Sequence, residues 1–153
     1  MIKILFICHG NICRSPMCEF VMKDLVNKAG RADQFEIASA ATSTEELGNP
    51  VHPGTRRELA KHGISCEGKR ARQVTRADYD YYDMLICADS NNIRNLRRIT
   101  GGDPDGKISL VLDHTSRPGR DVDDPWYSGD FESTWNDVSD GCAGLLRELT
   151  EKD

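Results

Sequence analysis

The segment IKILFICHGNICRSP (residues 2–16) changes character at Cys8. A run of apolar, β-forming residues precedes Cys8, and glycine, asparagine, a second cysteine and Arg14 follow it. Apolar residues at helical spacing come after Pro16, and proline is tolerated in the first turn of a helix. The segment therefore predicts a strand over 2–8, a loop, and a helix over 16–29 that ends before Gly30.

Three further apolar runs have the length and composition of buried strands: FEIASA (35–40), DMLICA (83–88) and KISLVL (107–112). Helical patterns lie between and after them, in PGTRRELAKHG (53–63) and in SNNIRNLRRITGG (90–102). A last helix is predicted to face the core with one apolar stripe, formed by Phe131, Trp135, Val138, Cys142, Leu145 and Leu149.

This alternation of strands and helices is typical of a parallel sheet. We expect an α/β fold in a single domain over residues 1–153. It has a four-stranded parallel sheet with helices on both faces and a phosphate-binding loop after the first strand. In such sheets ligands bind beyond the carboxyl ends of the strands. Cys8 is predicted to lie at one of those ends.

Composition narrows the location and the partners. A net charge of −5 gives no reason to expect a nucleic-acid partner. No stretch is apolar enough to predict a membrane span or a targeting signal, so we expect a cytoplasmic protein with no membrane partner. The six cysteines are then expected to be reduced thiols.

The loop after the first strand has the composition of an anion site. Gly10 and Asn11 tolerate left-handed backbone conformations, which can turn successive N–H groups inward. Such a nest at the N-terminus of a helix binds a tetrahedral anion. Arg14 adds a planar fork of donors suited to phosphoryl oxygens. The loop is therefore predicted to bind phosphate, although it lacks the Gly-Lys-Ser/Thr of a nucleotide-binding loop.

A cysteine beneath a phosphate cradle is a candidate nucleophile. Cysteine thiols have a pKa of about 8.5, and cationic or helix-terminus surroundings lower it to about 3.5–7.5. Cys8 would face the phosphorus of a bound monoester, and Arg14 would stabilise the charge on the transferring group. A zinc site at Cys8, Cys13 and Cys18 is disfavoured, because structural zinc sites prefer tighter cysteine pairs and four ligands. We expect no metal and no cofactor.

The sequence CHGNICRSP closely resembles the N-terminus of the low-molecular-weight protein tyrosine phosphatases. The resemblance continues over nearly the whole chain in SAATS (39–43), GNP (48–50), ARQVT (71–75), ADSN (88–91) and DDPWY (123–127). It implies hydrolysis of phosphotyrosine monoesters through a cysteinyl-phosphate on Cys8, with Arg14 as phosphate clamp. The aspartate before the proline, Asp124, would be the general acid and base. Phosphotyrosine proteins would be the substrates, and an opposing tyrosine kinase is a candidate partner.

The resemblance also implies roles for residues around these three. Asn11 would hold the unusual backbone of the loop, Ser15 would hydrogen-bond the thiolate, and Ser39 and Asp89 would support the site. Cys13 would form a reversible disulfide with Cys8 under oxidants. The substrate-binding residues are expected to be His9, Gly10, Asn11, Ile12, Cys13, Ser15, Trp126 and Tyr127, with the side chain of His9 pointing away from the phosphate.

Two positions depart from the family pattern. Lys69 replaces a histidine that often supports the loop asparagine, which puts that support in question. Glu45 replaces a common aromatic residue on the rim, which puts the substrate preference in question.

Three other readings remain open. A protein-arginine phosphatase of this fold usually has threonine where this chain has Ile12. An arsenate reductase of this fold needs a pair of relay cysteines on a mobile segment, and Cys87 has no such partner nearby in the sequence. A non-catalytic phosphate-binding adaptor would keep Arg14 but would lose the nucleophile or the acid.

Overall fold

Four parallel strands form one sheet in the order β2-β1-β3-β4 in the computed structural model, which describes residues 1–151. The strands are β1 (Ile2–Cys8), β2 (Phe35–Ala41), β3 (Met84–Cys87) and β4 (Ile108–Leu110). Strand β1 pairs with β2 along its whole length and with β3 near its carboxyl end. The predicted α/β class and the parallel sheet are confirmed.

Helices cover both faces of this sheet, because the side chains of β1 alternate between two apolar cores. Ile4, Phe6 and Cys8 belong to one core and Leu5 and Ile7 to the other. The first core is completed by α1 (Arg14–Lys28), α2 (Pro53–Lys61) and α6 (Phe131–Thr150), and the second by α3 (Arg76–Tyr81) and α4 (Ser90–Thr100). A single turn, α5 (Pro125–Ser128), precedes α6.

Most observed boundaries lie within two residues of the predicted ones, and the larger or more informative differences are as follows. Helix α1 begins at Arg14, two residues before the proline that was expected to start it. The short helices α3 and α5 were not predicted, because six and four residues are too few to show a helical period. Strand β4 ends at Leu110, where the carboxylate of Asp113 accepts a hydrogen bond from the Leu110 backbone N–H at 2.9 Å and the chain turns into a 3₁₀ helix.

The last helix packs largely as predicted, with Val138, Cys142 and Leu145 fully buried in the first core. Phe131, which was predicted to lie in the same stripe, packs instead against the small cluster of Ile12, Cys13 and Ala71 beside the loop after β1. Trp135 and Leu149 are partly buried against the same core. Within residues 1–151, none of the helices has the length and apolar character needed to cross a bilayer.

Candidate active site

The loop between β1 and α1 joins the carboxyl end of the central strand to an open helix terminus. Cys13 precedes the first residue of α1 and contributes no capping side chain. Within residues 1–151, the backbone N–H groups from Asn11 to Ser15 donate to no acceptor. These groups are therefore available to a bound anion, and the positive end of the helix favours negative charge there.

One non-glycine residue of the loop has an unfavourable left-handed backbone conformation. Asn11 has a φ of 58°, and it is the non-glycine residue with positive φ among residues 1–151. Of the two loop residues that tolerate a left-handed conformation, only Asn11 adopts it, since the φ of Gly10 is not positive. A Cβ at Gly10 would lie 3.3 Å from Cγ of Glu46, a tight contact with a side chain on the cavity rim.

The thiol of Cys8 lies at the end of a chain of buried side-chain hydrogen bonds. Its Sγ is 3.0 Å from Oγ of Ser15. Nδ2 of Asn11 donates to Oγ of Ser15 at 2.8 Å and to Oγ of Ser39 at 2.9 Å. The structure thus joins Cys8, Asn11, Ser15 and Ser39, which were predicted from the sequence, into one group.

Arg14 is buried, with 3% of its side chain exposed, and its guanidinium is held from two sides. Nη1 donates to Oδ2 of Asp89 at 2.7 Å and to the Val122 carbonyl at 2.8 Å. Burial lowers the pKa of Arg14, but Cys8 and Asp89 raise it more, and the net shift is upward. A permanently charged, fixed fork beside Cys8 suits the oxygens of a phosphoryl group.

Asp124 lies beside Arg14 and lines the same cavity as Cys8. Its Oδ2 is 3.5 Å from Nη2 of Arg14, and its Oδ1 accepts a hydrogen bond from the Trp126 backbone N–H at 3.1 Å. The latter contact makes Asp124 the N-cap of α5, so the short helix fixes the carboxylate. About a quarter of the side chain stays exposed.

A cavity of about 240 Å³ brings these groups together. It is lined by Cys8, His9, Gly10, Ile12, Cys13, Arg14, Glu45, Glu46, Asp124, Trp126 and Tyr127. Ser15 and Asp89 contact the lining residues Cys8 and Arg14, whereas Asn11 is joined to the cavity through Ser15, and Ser39 through Asn11. Every site residue predicted from the sequence therefore lines the cavity or is linked to it by hydrogen bonds.

Exposed aromatic side chains form one wall of the cavity. Trp126 is 56% and Tyr127 is 86% exposed. The ring of His52 meets Trp126 edge to face at 5.5 Å and stacks on Phe131 at 5.2 Å. No role was predicted for His52, and its position is set by a backbone hydrogen bond to the Ile12 carbonyl at 2.8 Å that no sequence pattern reveals.

Another part of the cavity lining is acidic. Nε2 of His9 lies 2.9 Å from Oε2 of Glu45, and both side chains are about half exposed or more. Glu46 follows Glu45 on the same rim. The departure at position 45 therefore places a carboxylate, paired with His9, at the entrance to the cavity.

The departure at position 69 keeps the support of the loop intact. Nζ of Lys69 donates to the Ser39 carbonyl at 2.9 Å and lies 3.4 Å from Oε1 of Glu19. Sequence reasoning missed Glu19, which is 4% exposed on α1 and accepts a hydrogen bond from Oγ of Ser39 at 2.5 Å. A charged residue among the apolar positions 17, 18, 21 and 22 was the signal that could have identified it.

Among residues 1–151, no three His, Cys, Asp or Glu side chains cluster in a way that could hold a metal ion. The same residues contain six free cysteines, all buried, of which Cys8 and Cys13 line the cavity. Burial and the nearby Cys8 and Asp124 raise the pKa of Cys13 to about 12.

Comparison with known proteins agrees with this geometry. A sequence model described as low molecular weight phosphotyrosine protein phosphatase matches residues 3–153. The low molecular weight protein-tyrosine-phosphatase YfkJ of Bacillus subtilis is 39% identical over 99% of this chain and 98% of its own length. The crystal structure of YfkJ superposes with a TM-score of 0.95 over 100% of this chain and 97% of that one.

Two other relatives match this chain over a similar extent and with a similar sequence identity. The low molecular weight phosphotyrosine protein phosphatase of Rattus norvegicus is 36% identical over 95% of this chain and 94% of its own. The crystal structure of SP-PTP, from Streptococcus pyogenes, is 41% identical with a TM-score of 0.87, over 98% of this chain and 94% of that one. A match of this extent, together with the shared fold, shows that the chain belongs to the low molecular weight phosphotyrosine protein phosphatase family.

Proposed function

We propose that this protein hydrolyses phosphotyrosine in proteins, with Cys8 as nucleophile, Arg14 as phosphate clamp and Asp124 as general acid and base. The observation that carries the proposal is the placement of Cys8 in the cavity floor, below the unpartnered N–H groups of the loop and beside Arg14 and Asp124. Membership of the phosphatase family supports the same reaction.

The reaction proceeds in two steps. In the first, the Cys8 thiolate attacks phosphorus, the bond from phosphorus to the tyrosine oxygen breaks, and Asp124 donates its proton to that oxygen. In the second, Asp124 takes a proton from a water molecule that attacks phosphorus, and the sulfur–phosphorus bond breaks to release phosphate. Arg14 and the loop N–H groups stabilise the equatorial oxygens in both steps.

The walls of the cavity favour a flat ring. Ile12 is 8% exposed and presents an apolar surface near the phosphate site, and Trp126 and Tyr127 extend it outward. A guanidinium would lose hydration against these three side chains, none of which carries a charge to pair with it, whereas an aromatic ring would bury apolar area. We therefore expect phosphotyrosine to be hydrolysed faster than phosphoarginine.

The other readings fit less well. An arsenate reductase needs accessible relay cysteines, and Cys87 is fully buried in β3 beside β1. A phosphate-binding adaptor needs no acid, whereas Asp124 is held at the cavity. We further propose a cytoplasmic location, an opposing tyrosine kinase as partner, and neither nucleic acid nor membrane as a binding partner.

A substrate panel tests the proposed function. Steady-state rates are measured with phosphotyrosine, phosphoserine and phosphoarginine peptides and with arsenate, for the wild type, Cys8→Ser and Ile12→Thr. We expect hydrolysis of phosphotyrosine by the wild type, no turnover by Cys8→Ser despite retained vanadate binding, and a smaller preference over phosphoarginine in Ile12→Thr. Undiminished turnover by Cys8→Ser, or faster turnover of phosphoarginine by the wild type, would overturn the proposal.

A further inference from the structure

We propose that the imidazole ring of His52 positions the general acid: it holds Trp126 in place and, through Trp126, the carboxylate of Asp124. His52 does not line the cavity, so it is a positioning residue and not a catalytic one. The inference rests on the proposed roles of Cys8 and Asp124. His52 joins the loop after β1 to the short helix that begins behind this acid.

The start of α2 is tied to the loop after β1 by two hydrogen bonds. The backbone N–H of His52 donates to the Ile12 carbonyl at 2.8 Å, and Oγ1 of Thr55 donates to the Cys13 carbonyl at 3.2 Å. The position of His52 is therefore fixed relative to the loop that leads to Arg14.

The imidazole ring of His52 also has a fixed orientation. Its Nδ1 accepts the backbone N–H of Gly54 at 3.0 Å, so the side chain is the N-cap of α2. The ring stacks on Phe131, with the planes at 21° to each other. A Cβ at Gly54 would overlap the Phe131 ring, so glycine lets the start of the helix approach it closely. Phe131 in turn packs against Ile12 and Cys13, so the loop also supports the ring.

A second aromatic contact of His52 reaches the residue that holds the acid. The His52 ring meets Trp126 edge to face with the planes at 74°, a geometry that aromatic pairs favour. Within residues 1–151 no other aromatic ring contacts Trp126, which is 56% exposed. The backbone N–H of Trp126 donates to Oδ1 of Asp124 at 3.1 Å. The contact with His52 therefore restrains the orientation of the Asp124 carboxylate.

The segment that carries the acid has another anchor, on its N-terminal side. The Val122 backbone N–H donates to the Ala88 carbonyl at 2.9 Å, and the Val122 carbonyl accepts a hydrogen bond from Nη1 of Arg14 at 2.8 Å. The chain is therefore fixed two residues before Asp124.

Trp126 supplies the anchor on the C-terminal side of Asp124. Helix α5 is a single turn in which Pro125 is the buried residue, so few contacts of its own hold it. An acid transfers its proton from within hydrogen-bond reach of the leaving oxygen, about 2.6–3.2 Å. Removing the His52 ring frees Trp126 to move, and the acid is then out of place for part of the time. One aromatic pair shifts such an equilibrium by up to about tenfold.

The test separates the two roles of the His52 side chain in the full-length protein. His52→Asn keeps a side-chain oxygen that can cap α2 and removes the ring, whereas His52→Phe keeps a ring and removes the capping acceptor. The values of kcat/KM are measured for aryl phosphates whose leaving groups increase in basicity, and urea denaturation measures stability.

The two variants are expected to differ in opposite ways. His52→Asn should lose about tenfold in kcat/KM with the most basic leaving groups and nothing with activated ones, at wild-type stability. His52→Phe should keep wild-type rates over the whole series and be less stable. A purely structural role of His52 would make activity and stability fall together.

His62→Asn is the matched control. His62 is the C-cap residue at the other end of α2, and its ring also stacks on an aromatic residue of α6, Trp135, at 3.6 Å. It does not line the cavity, so His62→Asn should give wild-type rates for every leaving group. If His52→Asn does not fold, His52→Ser replaces it, since serine also caps a helix and has no ring.

A double variant shows whether His52 acts through the acid. In an Asp124→Asn background there is no acid to position, so adding His52→Asn should cause no further loss in kcat/KM.

A fluorescence measurement follows Trp126 without any substrate. The chain has two tryptophans, so a Trp135→Phe background leaves Trp126 as the fluorescent one. In that background His52→Asn should increase quenching of Trp126 by acrylamide and lower its anisotropy, whereas His52→Phe should keep the values of the background.

The inference is wrong if His52→Asn keeps the wild-type dependence on the leaving group, if His52→Phe loses as much as His52→Asn, or if the double variant loses more than Asp124→Asn. Absence of wild-type hydrolysis would instead contradict the proposed function. The fluorescence of Trp126 still decides the role of His52 in that case, and unchanged quenching and anisotropy in His52→Asn would rule that role out.

Discussion

At the scale of single residues, Asn11 connects the backbone of the loop to its chemistry. Its positive φ bends the chain above Cys8, and its side chain reaches two serines and the Arg72 backbone at once. Asparagine tolerates this backbone region better than most residues. The strained residue is therefore held by the same hydrogen bonds that orient Ser15.

The acid role of Asp124 predicts a dependence on the leaving group. Asp124→Asn is expected to slow aryl phosphates with basic leaving groups by about 10²–10⁴-fold, the usual contribution of a positioned acid. Activated aryl phosphates need no proton and should lose much less. Steady-state kinetics over a series of leaving groups measures this difference.

Asp123→Asn is the matched control. Asp123 is the neighbouring aspartate, is exposed, and does not line the cavity. Replacing Asp123 should leave the rates unchanged for every leaving group in the series. Equal losses in both variants would place the acid elsewhere.

Cys13 predicts how the enzyme responds to peroxide. Peroxide oxidises the Cys8 thiolate to a sulfenic acid and is itself reduced to hydroxide. This reaction removes the negative charge of the Cys8 sulfur, and that charge is one cause of the raised pKa of Cys13. Cys13 can then attack the sulfenic sulfur to form a disulfide and release water. We expect a thiol reductant to restore the wild type, and Cys13→Ser to progress to irreversible sulfinic acid.

Activity recovery and peptide mapping check this pairing, and Cys18→Ser is the control. Cys18 is fully buried in α1, and the hydrogen bond of its thiol with the Cys142 side chain together with burial raises its pKa. Recovery of Cys18→Ser should equal that of the wild type. Finding Cys8 joined to another cysteine would refute the pairing.

At the scale of secondary-structure elements, two glycines of α6 let the helix approach the 3₁₀ helix after β4. A Cβ at Gly144 would overlap the backbone carbonyl of His114, and one at Gly141 would lie 2.9 Å from the Val111 carbonyl. Backbone cannot move aside as a side chain can. This close approach lets α6 bury Val138, Cys142 and Leu145 against the sheet.

Gly144→Ala is therefore expected to destabilise the protein, although alanine is the better helix former by about 1 kcal/mol. Overpacking against fixed backbone should cost about 1–3 kcal/mol in the free energy of unfolding. Urea denaturation measures the change.

Ser139→Ala in the same helix is the control. The hydroxyl of Ser139 is buried and has no hydrogen-bond partner within residues 1–151, so its removal should leave stability unchanged or raised. A stabilised Gly144→Ala variant would show that α6 can shift away from the 3₁₀ helix.

At the scale of the whole molecule, the site depends on segments far apart in the sequence that the sheet brings together. The segment after Arg70 passes beneath the loop, where the Arg72 backbone holds Asn11 and the Arg72 side chain pairs with Asp78 at 2.9 Å. Burial raises the pKa of Asp78, but hydrogen bonds from Arg72 and Thr75 lower it more, and the net shift is downward.

This shift predicts a loss of stability in acid. Because the folded-state pKa of Asp78 lies below its unfolded value of about 3.9, the pair stabilises the fold above that pH. That contribution is lost as the pH falls through the folded-state pKa. Urea unfolding below about pH 4 should show a steep decrease for the wild type and a shallower one for Asp78→Asn.

Asp80→Asn is the control for this prediction, because Asp80 is exposed on the same helix and makes no ion pair within residues 1–151. It should keep the wild-type dependence on pH. If Asp78→Asn also keeps that dependence, the pair with Arg72 does not contribute to acid stability.

The sequence by itself determined the features that depend on neighbouring residues. Apolar runs and helical spacing predicted the four strands and the long helices, since burial pattern and turn chemistry act over a few positions. The residue types from Cys8 to Arg14 predicted an anion-binding loop with a nucleophile, because these residues are also neighbours in the chain. The role of Asp124 came from the resemblance of DDPWY to a family, because an aspartate before a proline is also a common turn former.

Only the tertiary structure decided which contacts form beneath and around that loop, although Ser39 itself was expected there from the family resemblance. Glu19, Ser39 and Lys69 come from α1, β2 and the chain before Arg70, and their contacts exist because the sheet and α1 pack together. His52 beside Trp126 is a contact of the same kind. A hydrogen bond between distant residues depends on distances of a few tenths of an ångström, which packing sets and local propensity does not.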